Sequence, residues 1–463
     1  MRLLYDVVQC PRFFMSCRRL FIDFTLAVVA VLAGSVPLVA QQTEPAPVSG
    51  HQHHGTDGTA VELFPAREAS GTAWLPDDTP MFGSRQSWRG WDVMLHGSAF
   101  AEFLYEPGDV HRTGGFSTHQ FLSTNWGMLM ARRRVGTARV GLRAMVSLEP
   151  WTVSGCGYIN FLASGENCEG DTIHDRQHPH DLFMELAADY DGGLRGSWRW
   201  QLYGGLAGEP ALGPPAFPHR ISAMLNPIAP ISHHWMDSTH ITFGLATAAV
   251  SNRRWKGEVS VFNGREPDEN RADIDFAALD SISGRLTFLP SERLALQISA
   301  GHLTDAHLEF APRPPSDVDR TTASATYHRS LAAGGTWATT FAWGMNSGLV
   351  VIPTGAFNAT THAFLLESSA AFHDRDTWFG RAELAQKPAE DLHAHEYGAG
   401  IFSVAKMQGG YARQFKPWKG LTAGVGGSVS LSLVPPELAS RYGGRVAPGF
   451  AVFASVRPPR HGM

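Results

Sequence analysis

Residues 174–181 read HDRQHPHD, placing three histidines, two aspartates and an arginine within eight positions. Imidazoles and carboxylates this close can serve metal coordination or proton transfer. His178 and His180 stand two apart, so in an extended chain both project to one side. With a carboxylate they suit zinc or copper(II). A second group, His233, His234, Asp237 and His240, could complete the shell, so the candidate metal ligands are His178, His180, His233, His234, Asp237 and His240. The tract HQHHG, with His51, His53 and His54, is metal-prone by composition alone. A simpler reading competes: histidine, aspartate and arginine satisfy one another's donors and acceptors and lock loops together without an ion.

A hydrolase is a third reading, because THQFLSTNW offers His119, Ser123 and Asn125. Four residues along a strand separate His119 from Ser123 by roughly 13 Å, too far for a base to reach its proton. The sequence nominates no catalytic partner elsewhere, and the expectation is that the chain is not an enzyme.

The elements that must position these residues are strands. From Trp91 onward, segment after segment alternates apolar and polar. In TARVGLRAMVSL, Ala138, Val140, Leu142, Ala144 and Val146 share one face while Arg139, Arg143 and Ser147 share the other. RWKGEVSVF and TWFGRAELA repeat the pattern. The connections alternate as well. Short links such as RRRVG, DGGLRG, SNRR, PSER and HDRD take turns with long ones, including 209–238, 263–280 and 347–361. Strands facing two solvents, with turns at one end and loops at the other, predict an all-β fold: a transmembrane antiparallel β-barrel of about sixteen strands, with short periplasmic turns and long extracellular loops.

Composition agrees. The 463 residues include 48 Gly, 13 Trp and 27 Phe, and the net charge of -5 carries no basic stripe, which excludes nucleic acid as a partner. Arg18 and Arg19 precede the apolar run TLAVVAVLAGSVPLVA, so residues 1–40 are expected to be an export signal cut after Ala40. Residues 41–88, rich in proline, glycine and threonine, read as a disordered periplasmic arm, and residues 89–463 as the barrel. Cys156 and Cys168 share one loop and should form a disulfide after export.

The closing RYGGRVAPGFAVFASVRP resembles the final strand of outer-membrane barrels. DRQHPHDLFMELA, GEPALGP, HHWMDSTHI and FNGREPDE together resemble a porin-like group of bacterial outer-membrane β-barrel proteins that share the DRQHPHDLFMELA motif. That resemblance spans nearly the whole chain after the signal. It implies a fold and a bacterial outer-membrane location, with lipid as a partner and trimers by analogy, but no activity.

Alternation places Arg139, Arg143, Glu185, Lys256, Glu258, Arg285, Glu367, Arg381 and Glu383 in the lumen, with Met184 and Leu186 against lipid. Mixed signs suit a hydrated channel of weak charge selectivity, or a plugged barrel held by ion pairs. Loop 209–238 is unusually apolar, so folding into the barrel is expected of it. The leading expectation is diffusion of small polar solutes across the outer membrane, with no required cofactor. The alternative is a barrel that binds or passes copper or zinc ions at its outer mouth.

Overall fold

The computed structural model describes residues 63–107, 118–307, 316–352 and 354–461. Within them the alternating segments pair antiparallel in sequence order and close into a sixteen-stranded barrel. Closure joins the first barrel strand, Trp91–Tyr105, to the last, Val446–Arg457, from Ala99 opposite Val456 to Tyr105 opposite Phe450. The other half of that edge is taken by Ser84–Trp88, which folds back on the first strand from Ser84 opposite Leu95 to Trp88 opposite Trp91. The second barrel strand is broken into His119–Leu122 and Asn125–Val135, both paired with the first.

Period-two alternation sorts the wall. Leu129, Leu142, Leu202, Val259, Ile298, Phe341, Leu366 and Val452 are exposed on the outside. They form the apolar band that lets a closed barrel cross a bilayer, where every backbone polar group must be paired internally. Aromatic pairs sit beside the turns: Trp255 stacks on Phe288 with ring centroids 4.1 Å apart, Trp378 lies 4.9 Å from Tyr411 and Tyr190 5.1 Å from Trp200. This is the girdle expected at a membrane interface.

The wall is uneven. Leu245–Ser251 has 7 residues and Trp255–Phe262 has 8, whereas Thr336–Ile352 and Gly355–Phe372 have 17 and 18. The long loop expected at 347–361 is therefore strand, its ladder running to Ile352 opposite Gly355. Nothing in the residue pattern marks where such a hairpin leaves the membrane, because both solvents beyond the bilayer are water.

Two segments fill the interior. The expected disordered arm is ordered from Leu63 onward and enters the lumen, where Phe64, Thr72, Ala73 and Leu75 are buried. Its backbone forms little regular structure because the wall side chains supply its partners: Arg143 Nη1 donates to Gly71 O at 2.6 Å and Lys256 Nζ to Thr72 O at 2.6 Å. Only 41–62 of that arm, like the expected signal, lies outside the described residues. The second filler is the loop from 208 to 244. It crosses to the far wall, where Trp235 Nε1 donates to Thr361 Oγ1 at 2.8 Å and Asn226 Nδ2 to Gln408 Oε1 at 2.7 Å.

A separate hairpin, Tyr158–Cys168 with Asp171–Gln177, reaches in from the mouth against the far wall, where Phe161, Leu162 and Ala163 pack with Ala363, Leu365, Ala385 and Val404. The Cys156–Cys168 disulfide joins the residues entering the hairpin to its turn end, with the two Cα atoms 5.7 Å apart. Non-reducing alkylation and mass spectrometry of the exported protein should leave both cysteines unmodified. Recovery of two alkylated thiols would contradict this arrangement.

Candidate functional site

The interior wall carries a ladder of charges. Arg132 Nη1 and Arg139 Nη2 each approach Glu68 of the inserted arm at 2.5 Å, and Arg143 Nε lies 3.2 Å from Asp189 and its Nη1 3.5 Å from Glu185. Glu258 takes Arg285 at 2.8 Å and Lys256 at 3.2 Å. On the far wall Glu367 accepts from Arg220 Nε at 2.6 Å and Arg381 Nε at 3.2 Å, and Glu383 accepts from Ser232 Oγ at 2.7 Å. The nine lumen residues named from alternation, Arg139, Arg143, Glu185, Lys256, Glu258, Arg285, Glu367, Arg381 and Glu383, thus all lie on the inner face and are buried. Of the two arrangements their mixed signs permit, the structure holds the plugged one.

One position differs. Alternation puts Met184 against lipid, yet it is 2 % exposed and packs inside with Phe64, Met128, Met145 and Phe243. A β-bulge is the cause: the register shifts between Met145 opposite Glu185 and Val146 opposite Phe183, so side chains cease to alternate there.

A void of about 150 Å³ remains beside the first strand. It runs from Met81, Phe82 and Arg457 at the turn end past His96 and His219 to Glu149 and His180. That is space for several waters.

The histidines meet at the loop end. One ring nitrogen from each of His178, His233 and His234 lies within 4.8 Å of the other two. His233 and His234 belong to a single helical turn, His233–Met236, while His178 closes the hairpin. Each Nδ1 faces acceptors: His233 meets Asp237 Oδ1 at 2.7 Å, His234 meets Glu266 Oε1 at 3.1 Å, and His178 meets Glu166 Oε2 and Pro179 O, both at 3.2 Å. With only acceptors there, the proton sits on Nδ1 and the lone pair on Nε2. All three Nε2 atoms are buried without a hydrogen-bond partner among the described residues.

The other three candidate ligands are engaged elsewhere. His180 turns to Glu149, its Nδ1 2.9 Å and its backbone nitrogen 2.8 Å from Oε2. His240 Nδ1 contacts Asp237 O at 2.7 Å, and Asp237 holds His233 and Arg220 rather than facing the trio. Burial pulls the His178 imidazole well below its usual range, with Arg271 adding to the effect, and brings His234 down to about 4. Burial would lift Asp237, but Arg220 and His233 hold it below the ordinary carboxylate range.

Three contributors carry no signal of their own in the local sequence pattern. Glu166 and Glu266 anchor two of the imidazoles, and Arg271 pairs with Glu166 and stands 3.5 Å from Asp181. Glu266 lies in FNGREPDE, a stretch that carries the resemblance but does not mark this carboxylate. Asn125, a candidate for a hydrolytic group, braces a turn instead: its Oδ1 accepts from Leu148 N at 2.8 Å and its Nδ2 donates to Thr152 Oγ1 at 3.0 Å. His119 lies over Phe103, the ring centroids 6.1 Å apart.

The strand register and the apolar band define the class: a sixteen-stranded outer-membrane β-barrel with a filled lumen. No protein-family model matches the chain, and none of the curated proteins does. Among solved structures it is similar to OmpF of Salmonella typhi in complex with daunomycin, at 10% identity and a TM-score of 0.47, covering 81% of this chain and 100% of that one. It is also similar to the outer-membrane channel DcaP of Acinetobacter baumannii, at 11% identity and 0.46 over 81% and 100% of the two chains. An anion-selective porin from Comamonas acidovorans follows at 11% and 0.44, over 80% and 99%.

Proposed function

We propose that the barrel is a restricted outer-membrane channel for small polar solutes, closed by its two inserted segments and opened when one of them moves. The observation that carries this reading is the void of about 150 Å³ beside the first strand, bounded on one side by wall and on the other by the inserted arm and loop. The inserted segments hold through side-chain hydrogen bonds and ion pairs rather than through a sheet ladder, so either can leave without unpairing the barrel. Flux would follow a solute gradient.

Single-channel recording in a planar bilayer tests the reading. The full-length barrel should conduct weakly or in brief openings. Deleting 41–80 removes Glu68 and Thr72 from the lumen and should give a larger, steady conductance. A deleted barrel that migrates as folded yet passes no more current would defeat the proposal.

A further inference from the structure

We propose that His178, His233 and His234 bind one transition-metal cation of the zinc or copper(II) class, and that the ion fastens the inserted loop to the hairpin at the mouth. The proposal stands independently of the channel reading.

Four observations carry it. The three imidazoles arrive from two segments far apart in sequence, and each leaves a buried Nε2 with no partner among the described residues. Buried polar atoms are ordinarily satisfied, so three unsatisfied ones in one place mark a missing partner. Every Nδ1 is backed by a carboxylate, from Glu166, Asp237 or Glu266. A carboxylate on the far nitrogen is how metal-binding histidines are oriented and made more basic. Finally, space is kept for the cluster. A Cβ on Gly165 would overlap Cε1 and Nε2 of His234, so the hairpin is glycine where the ring is seated.

Hydrogen bonding alone accounts for this poorly. Three imidazoles whose Nδ1 atoms serve carboxylates are left with buried Nε2 atoms that no donor among the described residues satisfies. A cation supplies the missing partner. Around zinc, nitrogens at about 2.0–2.1 Å stand roughly 3.3 Å apart, so the rings need close only modestly from their separation of up to 4.8 Å. Three nitrogen ligands and no thiolate favour zinc and copper(II) over softer ions, and leave a fourth position for water.

The consequence is mechanical. His233 and His234 lie on the inserted loop, His178 on the hairpin, and Glu266 on the loop between 263 and 280. A bound ion therefore ties three connections at the mouth.

The test is calorimetric titration of the full barrel, refolded in detergent with His51, His53 and His54 replaced by alanine so that the HQHHG tract cannot compete. Zinc chloride and copper(II) chloride are titrated separately. The expected result is one ion per chain at micromolar affinity or tighter, copper the tighter of the two, with a copper resonance showing nitrogen hyperfine coupling. His178→Ala and His234→Ala should each weaken binding about a hundredfold and Glu266→Gln about tenfold. His219→Ala, which lies outside the trio, should leave the metal affinity unchanged. Folded migration on unheated gels checks each variant, and Glu266→Gln together with the copper spectrum decides the matter should a histidine variant fail to fold. A folded barrel that binds neither ion at equimolar ratio, or binds both equally well without His178 or His234, would overturn the proposal.

Discussion

Replacing Arg220 with alanine should detach the inserted loop from the barrel wall and raise single-channel conductance. Arg220 is 1 % exposed and donates three times: Nε to Glu367 at 2.6 Å, and Nη1 to Asp237 at 2.5 Å and to Pro215 O at 3.0 Å. One end of this bridge is wall and the other is loop. Removing a single partner from a buried ion network leaves the remaining charges uncompensated, at a cost of about 3–5 kcal/mol. Asp237 would retain His233, and Glu367 would retain Arg381, which places the effect toward the lower end of that range. Limited proteolysis of 208–244 reports the loop directly, since cleavage follows local opening. The contrast is Arg265→Ala. Arg265 pairs with Asp280 at 2.9 Å and Asp305 at 2.7 Å, but those partners are about a third exposed, and such bridges are worth about 0–1 kcal/mol. Equal protease resistance in the Arg220 and Arg265 variants would mean that the loop is held by packing, not by the bridge.

What the sequence made legible, and what it did not, follows from which features repeat. Strand after strand alternates because lipid and lumen differ in polarity, so the barrel, its turn end and its inner face could be read from Leu142, Arg143 and their counterparts without any long-range information. Local departures broke the reading where the backbone did. At Met184 a bulge reverses the faces, and bulges carry no fixed residue signature. The inserted arm was missed for a different reason. Its lack of periodicity is real, but the lumen provides Arg132, Arg139, Arg143, Lys256 and Arg285 as partners for a segment whose own backbone bonds are a few short turns and one isolated bridge. Low hydrophobicity signals disorder only when no preformed cavity supplies the missing contacts. At the mouth, the histidines could be nominated by type, whereas the division of labour among them could not. His178 and His180 look equivalent in HPH, and only Glu149 beneath one and Glu166 beside the other set them apart.

Gly165→Val should open the hairpin at the mouth and displace His234 while leaving the barrel closed. Gly165 has φ of +117°, a conformation that costs a side-chain residue about 1–3 kcal/mol. The new side chain would also overlap the His234 ring from its Cβ outward, and overpacking of this kind costs about 1–3 kcal/mol more. Gly170 separates the two contributions, because it sits in the same hairpin at φ +85° with open space where a Cβ would stand. Gly170→Val therefore carries the backbone cost alone. Hydrogen–deuterium exchange of peptides covering 158–177 should show the Gly165 variant opening more readily than the Gly170 variant, with the strands from 281 to 372 protected alike in both. Matched exchange in the two variants would show that the ring is not seated against the hairpin. A larger loss at Gly165 would identify a residue without charge and without a side-chain donor or acceptor as a determinant of the histidine cluster. Such a residue acts by leaving space, so it becomes visible only when the fold brings His234 from far along the chain to fill it.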